Sequence, residues 1–185
     1  EMRESDWSSD VCSSDLDYAT STNTDIYAYD LASGKTENWT EGMMGYDVNP
    51  KFSPDGKSLL WQSMARDGYE ADKNDIVVMD LASKKITNLT KSWDESVVGD
   101  VAWSPDSKNI YFSTAYRGVK QLFHIGLDGK VKQISGGNFD VNEIIAFQSG
   151  NILVTRTDIN HNADLFKVNV KDGSMLQLTS VNEST

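Results

Sequence analysis

Two arginines recur at equivalent positions of an internal repeat, and the long loops of the same repeat are rich in carboxylates. Arg66 follows Phe52 by fourteen residues, and Arg117 follows Trp103 by the same interval. A guanidinium holds a carboxylate through paired hydrogen bonds, and carboxylates hold an amine in the same charge-assisted way. These residue types fit a rim that binds a charged peptide end, although solvated loops with capping side chains are the alternative. The candidate substrate-binding residues are Arg66, Glu70, Asp72, Asp94, Glu95 and Arg117.

Other chemistries have less support in the sequence. The histidines His124 and His161 lie 37 residues apart without an HExxH pattern, and Cys12 is the sole cysteine. A GxSxG turn, which would present a nucleophilic serine, is absent from the chain. The sequence therefore predicts no catalytic residue, no metal site and no cofactor in this segment. Asn38 and Asn88 begin glycosylation-type sequons, but they recur with the repeat and are interpreted as strand-end residues.

The composition narrows the class of partner. The 185 residues carry a formal net charge of −11, which disfavours a nucleic-acid partner. No apolar run approaches the roughly 20 residues that cross a bilayer, so we expect no membrane span, and no signal peptide is visible. Residues 6–16 resemble a translated sequencing adapter, so residues 1–16 are predicted to be a non-native, disordered tail. A natural disordered tail is the alternative.

The candidate residues sit in a repeat of strand pairs. One unit occurs as DIYAYDLASGKTENWT, DIVVMDLASKKITNLT and DLFKVNVKDGSMLQLT, which align without a gap. A second unit precedes it, as FSPDGKSLLW and WSPDSKNIYF, in which a Pro-Asp turn joins two strands. Four antiparallel strands per repeat, with almost no helical periodicity, favour a β-propeller over a sandwich.

The number of repeats predicts an all-β, incomplete β-propeller over residues 17–185. It comprises three four-stranded antiparallel blades and the outer hairpin of another. Because propellers close with about 4–8 blades, we expect this segment to leave a strand edge unpaired. The predicted boundaries are 25–40 for the hairpin and 47–90, 100–135 and 143–179 for the blades.

Loop lengths separate the two ends of the blades. In a meander, first-to-second and third-to-fourth turns share one face, and the remaining connections share the other. The first face receives only tight turns, such as Asp55-Gly56 and Asp128-Gly129. We expect the second face to meet a substrate or partner domain, because function concentrates on long loops. Its long loops are 41–47, 65–74, 91–99, 136–142 and 157–163.

The segments Phe52–Thr90 and Trp103–Gly118 resemble the propeller of the prolyl oligopeptidase family of serine peptidases. The likeness is to its dipeptidyl- and acylaminoacyl-peptidase-like branch, and the stretch SMARDGYEADKNDI carries it most specifically. The resemblance implies a non-catalytic propeller that gates access and helps seat peptides for a C-terminal α/β-hydrolase domain outside this chain. It also implies a periplasmic or secreted location. A binding or scaffold propeller of the periplasmic Tol type, which shares FSPDG, is the alternative.

Overall fold

The structure is a computed structural model and describes residues 21–181, all of whose regular elements are β-strands. The adapter-like tail predicted at 1–16 lies outside the described residues. The fourteen strands are β1 (Tyr27–Tyr29), β2 (Thr36–Asn38), β3 (Asp47–Phe52), β4 (Ser58–Ser63), β5 (Asp75–Asp80), β6 (Ile86–Asn88), β7 (Val101–Trp103), β8 (Asn109–Tyr116), β9 (Val119–Gly126), β10 (Val131–Gln133), β11 (Asp140–Gln148), β12 (Asn151–Thr157), β13 (Asp164–Asn169) and β14 (Met175–Gln177).

The strands form one hairpin and three four-stranded sheets, and each sheet follows the order of the chain. β1 and β2 form the hairpin; β3–β6, β7–β10 and β11–β14 form the sheets, named here blades 1, 2 and 3. All the described sheets are open, because no strand closes any of them into a ring. The prediction of an incomplete propeller with three blades and an outer hairpin is confirmed.

The chain divides into two compact units whose border does not follow the blades. Among the described residues, unit 1 contains 21–49 and Ser63–Asp72, and unit 2 contains Pro50–Gln62 and 73–181. Unit 1 therefore holds the hairpin and the loop after β4. Unit 2 holds most of blade 1 together with blades 2 and 3.

Two hydrophobic cores lie between successive sheets of unit 2. The first joins Leu60 and Ile76 of blade 1 to Phe112 and Phe123 of blade 2, and all four side chains are buried. The second lies between blades 2 and 3. Strand β5 is buried on both faces, as its unbroken apolar run predicts. The second core contains Leu122, Val141, Ile144, Ile152, Val154, Phe166 and Val168.

A hydrogen-bonded clip explains why the same polar residues recur in each repeat. The Thr90 hydroxyl donates to Asp75 Oδ1 at 2.7 Å and accepts from the Ile76 backbone N–H at 2.9 Å. Asn88 Nδ2 donates to Asp75 Oδ2 at 2.8 Å, so this sequon asparagine is a strand-end residue as predicted. The carboxylate–hydroxyl clip ties the start of a third strand to the end of the fourth. Its other copies are Asp25–Thr40 and Asp164–Thr179, and Gln121–Ser135 is its amide variant.

The connections of unit 2 fall at opposite ends of its strands. The turns that join first to second strands and third to fourth strands lie at one end, where the Asp55 backbone N–H of blade 1 donates to the Ser107 hydroxyl of blade 2 at 3.1 Å. Loops 91–99, 136–139 and 158–163 lie at the other end, named here the long-loop end.

Strand β11 differs from the expected start of its blade. It begins at Asp140 instead of residue 143, and its pairing with β12 shifts register on both sides of Ile144. These irregularities are β-bulges, which add residues to one strand without ending the pairing. The bulges interrupt the alternation of apolar and polar residues, and the sequence-based boundary of the blade therefore lies three residues after the observed start of β11.

Candidate functional site

The loop that follows β4 is organised by an ion pair between two of the predicted site residues. Arg66 donates to Asp72 twice, from Nε to Oδ2 at 3.1 Å and from Nη2 to Oδ1 at 2.7 Å. The guanidinium also lies over the ring of Tyr69, 4.0 Å from its centroid. The bond to Asp72 raises the pKa of Arg66 above its ordinary value. Arg66 therefore stabilises the conformation of its own loop, and the Nε and Nη2 groups of its guanidinium already donate to Asp72.

A third residue of this loop, Asp67, fixes the chain segment that enters the hairpin. Its Oδ1 accepts hydrogen bonds from the Ser21 hydroxyl at 2.9 Å and from the Thr22 and Asn23 backbone N–H groups at 2.7 and 3.1 Å. The Ser21 hydroxyl and then the Thr22 amide lower the pKa of Asp67. This anchoring role was not predicted from the sequence, because the partners of Asp67 lie about 45 positions away in no recognisable motif.

The loop also meets the neighbouring loop of unit 1 at a glycine. The Met64 backbone N–H donates to the Tyr46 carbonyl at 2.9 Å. A Cβ added to Gly45 would lie 1.8 Å from the Met64 carbonyl oxygen, so only glycine fits this approach. Loops 41–47 and 64–72 are thus held against each other.

Glu70 differs from the other acidic groups of its loop. Its side chain is exposed, and no described residue contacts it through a hydrogen bond or ion pair. Asp67 and Asp72 are both engaged, so Glu70 is the carboxylate of this loop that is open to an incoming amine. The sequence analysis named Glu70 and Asp72 as candidates without distinguishing between them.

The loop that carries Asp94 and Glu95 is held by a lysine of the preceding blade. Lys73 Nζ donates to the carbonyl oxygens of Thr90 and Trp93, both at 2.8 Å. Asp94 is exposed and Glu95 is half-buried, and neither has a hydrogen bond or ion pair among residues 21–181. Both carboxylates are therefore presented at the long-loop end by a loop with a fixed backbone.

Arg117 is placed differently from Arg66, in spite of their equivalent positions in the repeat. It forms with Gly118 a two-residue turn between β8 and β9, in which Tyr116 pairs with Val119. Both turn residues have positive φ, 54° and 89°, as the type I′ hairpin turn requires. The expectation that tight turns fall only on the opposite face is wrong here. β8 and β9 extend further than their counterparts in blade 1, so no loop remains between them.

The structure therefore brings the candidate residues together in two groups. Arg66, Glu70 and Asp72 share one loop of unit 1. Asp94, Glu95 and Arg117 lie at the long-loop end of unit 2, where the Thr114 hydroxyl donates to the Ser96 carbonyl and joins loop 91–99 to β8. Whether the two groups form one face stays a prediction.

The sequence of this chain is similar to known β-propeller domains. A family model described as "PD40: TolB beta propeller domain" matches residues 5–185. The chain belongs to the PD40 family of β-propeller domains. This PD40 propeller is 44% identical over 168 residues to "Dipeptidyl-peptidase 5" of Porphyromonas gingivalis, and the match covers 90% of the propeller chain and 24% of the relative. It is 39% identical over 173 residues to the protein of the same name from Porphyromonas endodontalis, covering 92% and 24%.

A solved structure supports the fold alone. The β-propeller domain of the trilobed protease from Pyrococcus furiosus matches with a TM-score of 0.65 at 23% identity, over 86% of the PD40 propeller and 46% of that chain. The predicted resemblance to peptidase propellers is confirmed, and the chain spans about a quarter of the curated relatives' length. No helix in the described part of the propeller is long and apolar enough to cross a membrane, and no cluster of three metal-ligating side chains occurs among residues 21–181.

Proposed function

We propose that this PD40 propeller is the non-catalytic domain of a serine peptidase. In this proposal it gates access and helps seat peptides for an α/β-hydrolase domain of the same parent chain. The observation that carries the proposal is the 44% identity with a protein named dipeptidyl-peptidase 5, of which the match covers only 24%. The remainder of such a parent has room for the catalytic domain. A periplasmic or secreted location is part of the same proposal, by analogy.

Within this proposal the open carboxylates bind the peptide amine. Glu70 is exposed and has no described partner, whereas Asp72 is engaged by Arg66. Arg117 is exposed and lies 5.2 Å from the ring centroid of Tyr116, so its hydrogen-bond donors remain open to a peptide carboxylate. Arg66 and Asp72 then act as positioning residues that hold the loop on which Glu70 stands.

A binding or scaffold propeller of the Tol type is the second candidate. The description of the matching family names a TolB propeller, and that observation favours it. A propeller of this kind would use its loops to bind a partner and would have no hydrolase domain in its parent chain.

An activity assay of the full-length parent and of the 185-residue chain distinguishes the two proposed functions. We would express the full-length parent and the 185-residue chain and measure hydrolysis of dipeptidyl chromogenic substrates. We expect activity in the parent that a serine-directed inhibitor abolishes, and none in the chain. A parent without a GxSxG segment and without activity would contradict the peptidase proposal and favour the scaffold. Hydrolysis by the pure chain would contradict its non-catalytic role.

A further inference from the structure

A small cavity in blade 3 contains an arginine whose hydrogen-bonding capacity is unused. The cavity has a volume of about 170 Å³ and lies where β12 and β13 meet loop 158–163. None of the six candidate residues discussed above belongs to it. Its lining residues are Arg156, Asp158, His161, Asn162, Asp164, Phe166 and Gln177.

Two aromatic rings fix the position of Arg156. Its guanidinium carbon lies 4.0 Å from the ring centroid of Phe139 and 4.6 Å from that of Phe166. Such cation–π contacts hold the guanidinium in place without using its N–H donors as hydrogen bonds. The side chain is 25% exposed, so the guanidinium is largely withdrawn from water.

The edge of Arg156 has no hydrogen-bond acceptor among the described residues. Its nearest carboxylate oxygen, Asp158 Oδ2, lies 3.8 Å from Nη2, beyond hydrogen-bonding distance. A guanidinium has five N–H donors, and leaving them unpaired in a sheltered place is costly. Arg66, by comparison, is more exposed and yet makes two hydrogen bonds to the aspartate of its own loop, Asp72.

The two carboxylates of the cavity already accept hydrogen bonds from the protein itself. Asp158 Oδ1 accepts from the Asn160 and His161 backbone N–H groups at 2.9 and 3.0 Å. The hydrogen bond from the Asn160 amide, and then that with the His161 ring, lower the pKa of Asp158. Asp164 accepts from the Thr179 hydroxyl at 2.7 Å. The aspartates therefore hold the loop and the strand end, and Arg156 remains the group that can take a ligand.

His161 also lines the cavity, and Asp158 contacts its ring. Its Nδ1 lies 2.8 Å from Asp158 Oδ1, so Asp158 orients the ring and leaves Nε2 without a described partner. The volume of the cavity is about six times the ~30 Å³ that one water molecule occupies in the liquid. It suits the end of a side chain or of a peptide, and is smaller than a pocket for a whole drug-sized ligand.

We propose that the Arg156 cavity binds a carboxylate group of a peptide, through paired hydrogen bonds from the guanidinium edge. The carboxylate is supplied either by a C-terminus or by an acidic side chain. The cavity lies within unit 2, and its test uses the chain without any peptidase assay. Its outcome is therefore separate from that of the proposed function.

The test titrates the chain with three blocked peptides and follows the Arg156 Nε–Hε signal and the backbone amides of residues 158–162 by NMR. The probes are N-acetylglycylglycine, its C-terminal amide, and the amide of N-acetylglycylaspartate. We expect a saturable shift with the two carboxylate probes and none with the uncharged amide. The carboxylate probe that saturates at the lower concentration identifies the source. No saturable shift with either, or an equal shift with the uncharged amide, would overturn the proposal.

A matched pair of variants locates the binding. Arg156→Lys keeps the charge and the apolar stem but removes the planar fork, so we expect the carboxylate probe to bind about tenfold or more weakly. Lys171→Arg exchanges the same two residue types at the exposed turn after β13, outside the cavity, and should leave the affinity unchanged. Equal affinities in the two variants would show that Arg156 does not carry the binding.

Discussion

Arg66 and Asp72 lie on one loop and form an ion pair, with 2.7 Å between Arg66 Nη2 and Asp72 Oδ1. Because each partner is already bound, neither is fully available to the two ends of a peptide. The pair acts on ligands indirectly, through the backbone that it fixes around Glu70. Replacing a member of the pair should therefore differ in its effects from replacing Glu70.

The first prediction concerns Glu70→Gln in the full-length parent. If Glu70 holds the peptide amine, its replacement should raise KM about tenfold with little change in kcat, since a charge-assisted hydrogen bond contributes about 1.5–3 kcal/mol when shielded. Steady-state kinetics with short peptides measure both constants. Asp128→Asn, at a tight turn of blade 2, removes the same charge and should change neither. An unchanged KM in the Glu70 variant would leave the loop without a role in substrate binding.

The second prediction concerns Asp72→Asn, which weakens the ion pair while Glu70 stays intact. We expect KM and kcat to change together, because a loosened loop misplaces its other residues as well. Backbone amide signals of residues 65–71 should shift in this variant and stay in place in Glu70→Gln. The same kinetic pattern in both variants, with no shift of the amides, would contradict a positioning role.

The third prediction follows from the lowered pKa of Asp67. A carboxylate whose folded pKa lies below its unfolded value of about 3.9 stabilises the fold above that value and loses the effect as pH falls through the folded pKa. Hydrogen exchange at the Thr22 and Asn23 amides should therefore quicken, beyond the intrinsic trend, as the solution is acidified below pH ~4. Asp67→Asn should show weaker protection already at neutral pH. Protection that is equal in the variant and independent of acidification would contradict the anchoring role of Asp67.

The repeat allowed much of the fold to be predicted from local residues. Asp75, Asn88 and Thr90 recur at fixed spacing because one hydrogen-bonded clip closes each strand pair. Turn residues recur for a similar reason: Ser83 donates to Asp80 through both its backbone N–H and its hydroxyl. Such interactions span fewer than 20 residues and repeat along the chain, so a pattern reveals them.

The arrangement of the candidate site was harder to predict, since its contacts are distant in sequence and occur once. Asp67 meets Thr22 across 45 residues, and Arg156 meets Phe139 only after β11 and β12 have paired. The equivalence of Arg66 and Arg117 was misleading, because spacing from a shared motif does not report how far each strand extends. Which carboxylates remain open depends on these contacts.

The fourth prediction tests the carboxylate–hydroxyl clip. Thr90→Val keeps the shape of the side chain but removes the hydroxyl, which is fully buried and contacts Asp75 and the Ile76 amide. Leaving these groups unpaired should lower the free energy of unfolding by about 1–3 kcal/mol. Thr87→Val, on the exposed surface of β6, is the control and should change it by less than about 0.5 kcal/mol. Urea denaturation compares the two, and equal midpoints would rule out a stabilising clip.

The fifth prediction concerns the close approach of two loops at Gly45. In Gly45→Ala the new methyl group would stand 1.8 Å from the Met64 carbonyl oxygen, which is backbone and cannot turn aside. The loops must separate, at a cost of about 1–3 kcal/mol or more. Gly136→Ala is a suitable control, because nothing lies within 4 Å of its added methyl and its φ is not positive. Thermal or urea unfolding compares the two variants. Equal stability would show that loops 41–47 and 64–72 are not in close contact. The argument that Arg66 and Asp72 hold the loop of Glu70 in place would then fail as well.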